Sequence, residues 1–240
     1  VPIVSINNPS TPSRPASLKL LPGFGLDQGA GGGSILAGPR YVLIRREIRA
    51  ARGPKPAIVD ACTAEERLRV GVLMGGAGAA EVTWAIARAL DQVDLDFAIQ
   101  VNVPSPVDGN LPAVARHQVE IHRAGTSYWE VLRRCHIVVS AAGVSAWELA
   151  CLGIPMGLLL VADNQSENYW GMTSRGWAIG LGTVAQVLAD PEFLTRGGAS
   201  SLLDRLGLVE MASRAWAAVD GGGVDRVAAV IQSRSGRVSA

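Results

Sequence analysis

Two apolar runs without polar alternation, residues 136–140 and 155–161, bracket the most informative stretch of the chain, VVSAAGVSAWELACLGIPMGLLLVA at 138–162. Such runs suit strands buried on both faces of a parallel sheet. Between them the small residues Ala141, Ala142 and Gly143 predict a turn, residues 144–152 a short helix, and Gly153, Ile154 and Pro155 its stop. Glu148 interrupts the apolar helix. A carboxylate there needs a partner, unless it lies on the helix's solvated side, and the sequence leaves both readings open.

The pattern elsewhere extends the same architecture. Residues 1–6 read as a strand, and 7–36 form a Pro-, Ser- and Gly-rich stretch expected to be a loop or linker. The segment GPRYVLIRREIR (38–49) follows, and a polar connector is expected to run to about residue 68. From Arg69 a compact domain is expected. Strands are predicted at 69–74, 97–103, 118–122 and 178–181. Helices are predicted at 81–90, with Val82, Ile86 and Leu90 on one face, and at 165–174, 183–188, 201–219 and 223–232. A further helix at 127–134 reads as capped by Thr126, with Glu130 completing a capping box. Repeated βα units imply an α/β protein, a Rossmann-like parallel sheet with helices on both faces and a ligand outside the carboxyl ends of its strands.

Composition narrows the partners. The chain has 240 residues, 48% hydrophobic and only 18% charged, so it can bury a substantial core. A formal net charge of +1 and the absence of long Lys/Arg blocks give no reason to expect nucleic-acid binding. No run of eighteen uninterrupted apolar residues suggests a membrane span. The three cysteines, Cys62, Cys135 and Cys151, are widely separated, which fits a reducing, cytoplasmic compartment.

Candidate chemistry lies at the predicted strand ends. MGGAGAAE (74–81) is a glycine-rich strand-to-helix turn whose Gly75, Gly76 and Gly78 permit positive φ and close approach of backbone to a phosphate. It lacks the GK[ST] of a P-loop. Glu81 occupies the third glycine position of a dinucleotide fingerprint, and Asp96 stands at the start of the next strand rather than its end. The turn at 141–143 is a second phosphate cradle, or a close packing contact between helix and sheet. Asp163, Asn164, Gln165 and Asn168 in ADNQSENYW cluster just past the second buried strand. One of them suffices as a helix cap; four in six positions favour ligand contact.

In this order, GPRYVLIRREIR, the GG turn, SAAGVSAWELACLGIP, ADNQSEN and DGGGVDRV (220–227) resemble the UDP-sugar hydrolase of pseudaminic acid biosynthesis and its relatives among spore-coat polysaccharide proteins. Those in turn are similar to the carboxy-terminal half of MurG-type glycosyltransferases. The resemblance runs from about residue 36 to 231 and implies a GT-B fold: residues 1–68 the end of an amino-terminal domain plus linker, and 69–240 the carboxy-terminal nucleotide-sugar-binding domain. It places Gly75 and Gly76 near the diphosphate. Ser140, Gly143, Ser145 and Glu148 fall in the second motif, with Glu148 at the ribose. Asp163, Asn164 and Gln165 would face the sugar or diphosphate.

The implied function is binding of a UDP-sugar and hydrolysis at its anomeric carbon to release UDP, with no cofactor. A MurG-like glycosyltransferase and an inactive nucleotide-binding fragment are the alternatives. Ala142 stands where the family has a glycine, and Ala77, Gly78 and Ala79 replace its polar residues after the GG turn. The amino-terminal motif that carries the family's presumed base is not in this sequence, which is expected to start at that domain's last strand. Among the histidines, His122 at a predicted strand end is the best-placed substitute; His117 and His136 are not at that edge. No histidine spacing suggests a metal. Trp84, Trp129 and Trp147 are expected in the core, while Trp170 and Trp177 flank the polar cluster and are candidates for the sugar pocket.

Overall fold

The computed structural model describes residues 3–6, 18–24, 34–58, 67–75, 80–94, 96–103, 116–123, 128–190 and 205–235. Its first unit is a parallel sheet of β1 (Val4–Ile6), β2 (Leu18–Leu21) and β3 (Ser34–Ala37), in that order. β2 lies inside the stretch expected to be a loop or linker, and β3 begins in it. Their short runs, LKLL and SILA, sit among Pro, Ser and Gly, and only burial of all four β2 side chains reveals the central strand.

A 3-10 turn (Pro39–Tyr41) and an extended segment lead to α1 (Arg46–Ala51), a helix in the stretch expected to be a polar connector. Its anchor is tertiary. Val42, Ile44 and Ile48 are 5%, 2% and 0% exposed and join one hydrophobic core with the helix at 144–152. Arg52 fastens the end of the segment, donating to the carbonyls of Cys151, Val219 and Trp216, with its guanidinium 3.9 Å from the Trp216 ring centroid.

The second unit is a six-stranded parallel sheet: β4 (Leu68–Leu73), β5 (Phe97–Val103), β6 (Gln118–Arg123), β7 (Ile137–Ala141), β8 (Met156–Leu160) and β9 (Ile179–Thr183). Their spatial order is β6-β5-β4-β7-β8-β9, so the chain runs outward in both directions from the β4–β7 pair. That pair is the topological switch point, where a crevice opens outside the carboxyl ends of the strands.

Helices α2 (Ala80–Asp91), α3 (Tyr128–Leu132), α4 (Val144–Leu152), α5 (Ser166–Thr173), α6 (Val184–Ala189), α7 (Arg205–Ala218) and α8 (Gly223–Ser235) complete the unit. Alternation along the strands feeds two cores. Val138 joins the cluster containing α3, α4 and α5; Ile137 and Val139 join that containing α2 and Val187 of α6. The elements predicted from 69 onward are present with ends shifted by a few residues. The exception is the helix predicted at 201–219, which is described only from Arg205. Thr126, the expected cap of α3, lies outside the described residues.

Gly153 and Asp220 each supply a test of this packing. Gly153 closes α4 in the left-handed region at φ +69°, and a Cβ there would lie 2.5 Å from Pro56 Cα. Gly153→Ala combines an αL penalty of about 1–2 kcal/mol with a backbone collision, so chemical denaturation is expected to register a loss of at least about 2 kcal/mol. Near the start of α8, the Arg226 guanidinium, aided by the Gly222 N–H, holds the Asp220 carboxyl at about 2, below its ordinary 3.8, against the opposing effect of burial. A depressed carboxyl stabilises the fold above its unfolded value and loses that contribution as pH falls from about 4 toward 2. Asp220→Asn is expected to flatten the acid limb of the stability–pH curve in that window.

Candidate functional site

Three turns meet at the switch point because β4, β7 and β8 are neighbours and all end on the same side. At the first, β4 gives way to Met74 and Gly75. Gly75 takes φ +101°, is exposed, and has nothing within 4 Å of where a Cβ would stand. Gly76 and Gly78 lie outside the described residues.

At the second, Gly143 is the N-cap of α4 in an extended conformation, and no side chain caps the helix. The first backbone N–H groups of a helix lack intrahelical partners, so this end is open to an anion. Ala142 is fully buried and does not take positive φ; its Cβ is therefore compatible with the turn. Its N–H donates to Leu159 O, and its carbonyl accepts from Asn168 Nδ2 at 3.3 Å.

At the third turn, Val161 and Ala162 lead into a 3-10 turn (Asp163–Gln165) that runs into α5. Asp163 and Asn164 are exposed, and neither makes a side-chain cap: the N-cap of α5 is Gln165, with no cap hydrogen bond. Gln165 Oε1 accepts from the Val161 N–H at 3.3 Å, while its Nε2 lies 3.6 Å from the Cβ position of Gly143.

The predicted polar residues thus divide into two groups. Ser140, Gln165 and Asn168 fasten the framework. Ser140 is fully buried and donates to Leu73 O at 2.9 Å, with Ala141 O at 3.1 Å, tying β7 to β4. Gly75, Asp163, Asn164 and the half-buried Ser145 are left at the accessible edge.

Glu148 is 2% exposed, so it is not on a solvated helix side. Its partner is Arg45, the N-cap of α1: Nε donates to Oε1 at 2.5 Å and Nη2 to Oε2 at 3.0 Å. The Arg45 guanidinium also lies 5.1 Å from the Trp129 ring centroid, within cation–π range. The hydrogen bond to Glu148 raises the Arg45 pKa from its ordinary value. No local pattern pairs residues 103 positions apart. The only signal was negative: a lone acid in an apolar helix demands a cation from somewhere.

A second contact absent from the sequence analysis comes from the turn after β2. Phe24 packs 5.0 Å from Trp147 and 5.4 Å from Trp177, with the Arg175 guanidinium 4.5 Å from its ring centroid. Its ring covers Gly171, where a Cβ would lie 2.1 Å from Phe24 Cδ2. Beside it, a Cβ at Gly23 would lie 3.2 Å from Asn168 Oδ1. The three-stranded sheet therefore reaches the α4–α5 surface next to the third turn. Trp177 belongs to this contact, whereas Trp170 is 65% exposed. Trp84, Trp129 and Trp147 are core residues, as their aliphatic neighbours predict.

The histidines lie elsewhere. His122 is in the edge strand β6, two strands from β4, and its Nε2 is 2.6 Å from Gln100 Oε1. It lines a cavity of about 370 Å³ on the sheet face with Arg69, Gln100, Glu120, Glu130 and Arg134, because alternate residues of a strand point to opposite faces. His117 and His136 are buried at the amino ends of β6 and β7, the former beside Asp91 and the latter accepting the Arg69 N–H at Nδ1. Cys135 and Cys151 are core thiols; burial pushes Cys135 up to about 12 and raises Cys151 as well. Among the described residues no group of three His, Cys, Asp or Glu could hold a metal, and no helix is long and apolar enough to cross a membrane.

No protein-family model and no curated protein matches the chain. Solved structures do. MurG from Acinetobacter baumannii superimposes with a TM-score of 0.73 at 16% identity, over 97% of this chain and 67% of that one. A glycotransferase of kitacinnamycin gives 0.61 at 19% identity, over 90% of this chain and 54% of its own. The calicheamicin glycosyltransferase CalG4 gives 0.57 at 19%, over 95% and 54%. The chain thus spans about two thirds of MurG and about half of the others. The fold is α/β, Rossmann-like and of the GT-B glycosyltransferase type.

Asn168 supplies a local test of the framework. Asn168→Ala leaves the Ala142 carbonyl without its side-chain donor, and a loss of about 1 kcal/mol is expected in urea denaturation, with an unchanged circular dichroism spectrum.

Proposed function

We propose that this chain is the donor-binding half of a nucleotide-sugar enzyme, and that the intact protein is a UDP-sugar hydrolase that releases UDP by adding water at the anomeric carbon. The observation that carries the reading is the convergence of Gly75, the uncapped start of α4 and the Asp163–Gln165 turn at one switch point. In this arrangement Gly75, with Gly76 and the N–H groups of Gly143 and Ser145, receives the diphosphate. Glu148 accepts from the ribose, and Asp163, Asn164 and Gln165 face the sugar or diphosphate, with Asn168 behind them. Backbone donors and the positive helix end suit an anion without a metal.

Residues 1–68 then serve as the end of an amino-terminal domain with its linker, and 69–240 as the nucleotide-sugar-binding domain. Water activation is assigned to a group beyond this edge, since His122 lines the face of the outer strand. A cytoplasmic location fits two buried, unpaired thiols.

A MurG-like glycosyltransferase is the second reading, favoured by the 97% coverage of this chain in the MurG superposition. Product analysis on the intact protein separates the two: free sugar for a hydrolase, a glycoside for a transferase. Calorimetric titration with UDP, with ADP and NAD as controls, tests what they share. Selective UDP binding, weakened about tenfold or more by Glu148→Ala, is expected. Equal binding of all three nucleotides, or full affinity in the variant, would overturn the assignment.

A further inference from the structure

We infer that the cavity between α3 and the face of β4, β5 and β6 is a second ligand site, one that takes a small zwitterion of dipeptide length. No residue of the three turns lines this cavity, so the inference stands apart from the donor-site reading.

Size and lining set the ligand class. About 370 Å³ lies at the small end of the ~300–1,000 Å³ typical of ligand pockets. Val131 is the one apolar residue among the described residues that line it, so the ligand is polar along its length. Two arginines, Arg69 and Arg134, are balanced by two glutamates, Glu120 and Glu130. Neither a plain anion nor a plain cation complements such a lining.

The charges are also sorted along the strands. In register Arg69 pairs with Ala98, Gln100 with Glu120, and Asn102 with His122. Arg69 therefore stands two residues, about 7 Å, toward the amino ends from Gln100 and Glu120, and His122 as far toward the carboxyl ends. α3 joins parallel strands, so it runs back from the carboxyl end of β6 toward the amino end of β7. Arg134 accordingly lies toward the Arg69 end, and Glu130 toward the His122 end.

Glu130 and Arg134 are the accessible pair. Both are exposed, and among the described residues neither has an ion-pair partner. The same four-residue spacing does close an ion pair between Glu210 and Arg214, at 2.8 Å. Four residues of helix rise by about 6 Å, and a dipeptide spans about 7 Å end to end. Its carboxylate reaches Arg134 while its ammonium reaches Glu130; in a single amino acid both charges flank one carbon and are too close together.

The sheet face supplies both senses of hydrogen bond between these ends. Gln100 is 4% exposed, and its Oε1 accepts from His122 Nε2 at 2.6 Å. Its Nε2 makes no hydrogen bond among the described residues and is a donor for a ligand carbonyl. With Nε2 donating, His122 offers Nδ1 as an acceptor for a ligand N–H. A peptide group carries one donor and one acceptor.

Amide NMR titration of the full 240-residue chain with diglycine, N-acetyl-diglycine and diglycine amide tests this. Diglycine is expected to give saturable shifts at Gln100, His122 and α3. Each analogue lacks one charge and should bind at least about tenfold more weakly. Arg134→Gln should bring diglycine and its amide within about threefold of each other while keeping the discrimination against N-acetyl-diglycine. Glu130→Gln should do the converse, and since both positions are exposed, circular dichroism spectra should not change. No saturation by diglycine, equal binding of all three ligands, shifts confined to other parts of the chain, or unaltered discrimination in either variant would overturn the site.

Discussion

A carboxylate with almost no access to water must be answered by a cation, and in this protein Glu148 is answered by Arg45. Much of the arrangement follows from that requirement. From Ala146 onward α4 is buried on every side, packed between the sheet, α1 and α7, and apolar there except for Glu148. An ionised side chain on such a helix is unfavourable by several kcal/mol, as an order of magnitude, when left alone. The pair therefore holds the start of α1 against α4. Arg52 fastens the far end of the same segment by three carbonyls and the Trp216 ring. Residues 45–52 are consequently a structural wall of the six-stranded unit.

The second constraint is the parallel sheet. Because all six strands point one way and the chain winds outward from β4 and β7, the turns after β4, β7 and β8 gather at one edge. Backbone N–H groups and a helix start lie there without any cationic side chain being required. The polar side chains closest to the edge mostly brace it. Ser140 joins two strands, Gln165 bridges the end of β8, and Asn168 holds the carbonyl of Ala142. Bracing of this kind holds the three turns in a fixed relation, and a preorganised edge loses less on binding.

Much of this was legible in the chain itself. The two non-alternating apolar runs fixed β7 and β8, and the glycine after Leu152 marked the end of α4, because period and turn chemistry are local properties. The switch-point edge followed from the succession of βα units, and with it the places of Gly75, Gly143 and Asp163. The Cβ of Ala142 is harmless in the fold, since backbone φ, invisible in a residue name, decides whether a side chain is tolerated there.

What the sequence could not determine depended on distance. β2 and β3 are too short and too closely flanked by Pro, Ser and Gly to be seen locally, and exist because neighbouring strands complete their hydrogen bonds. α1 needs the core that Ile48 enters. His122, a plausible edge residue by position, is turned onto the face of the outer strand by the alternation of β6 and its contact with Gln100. The sequence by itself determined the class of fold and the turns that form the edge, since both are encoded within a dozen neighbouring residues. Which arginine meets Glu148, and which aromatic covers Gly171, only the tertiary structure decided, because burial and charge pairing join residues that the chain keeps more than a hundred positions apart.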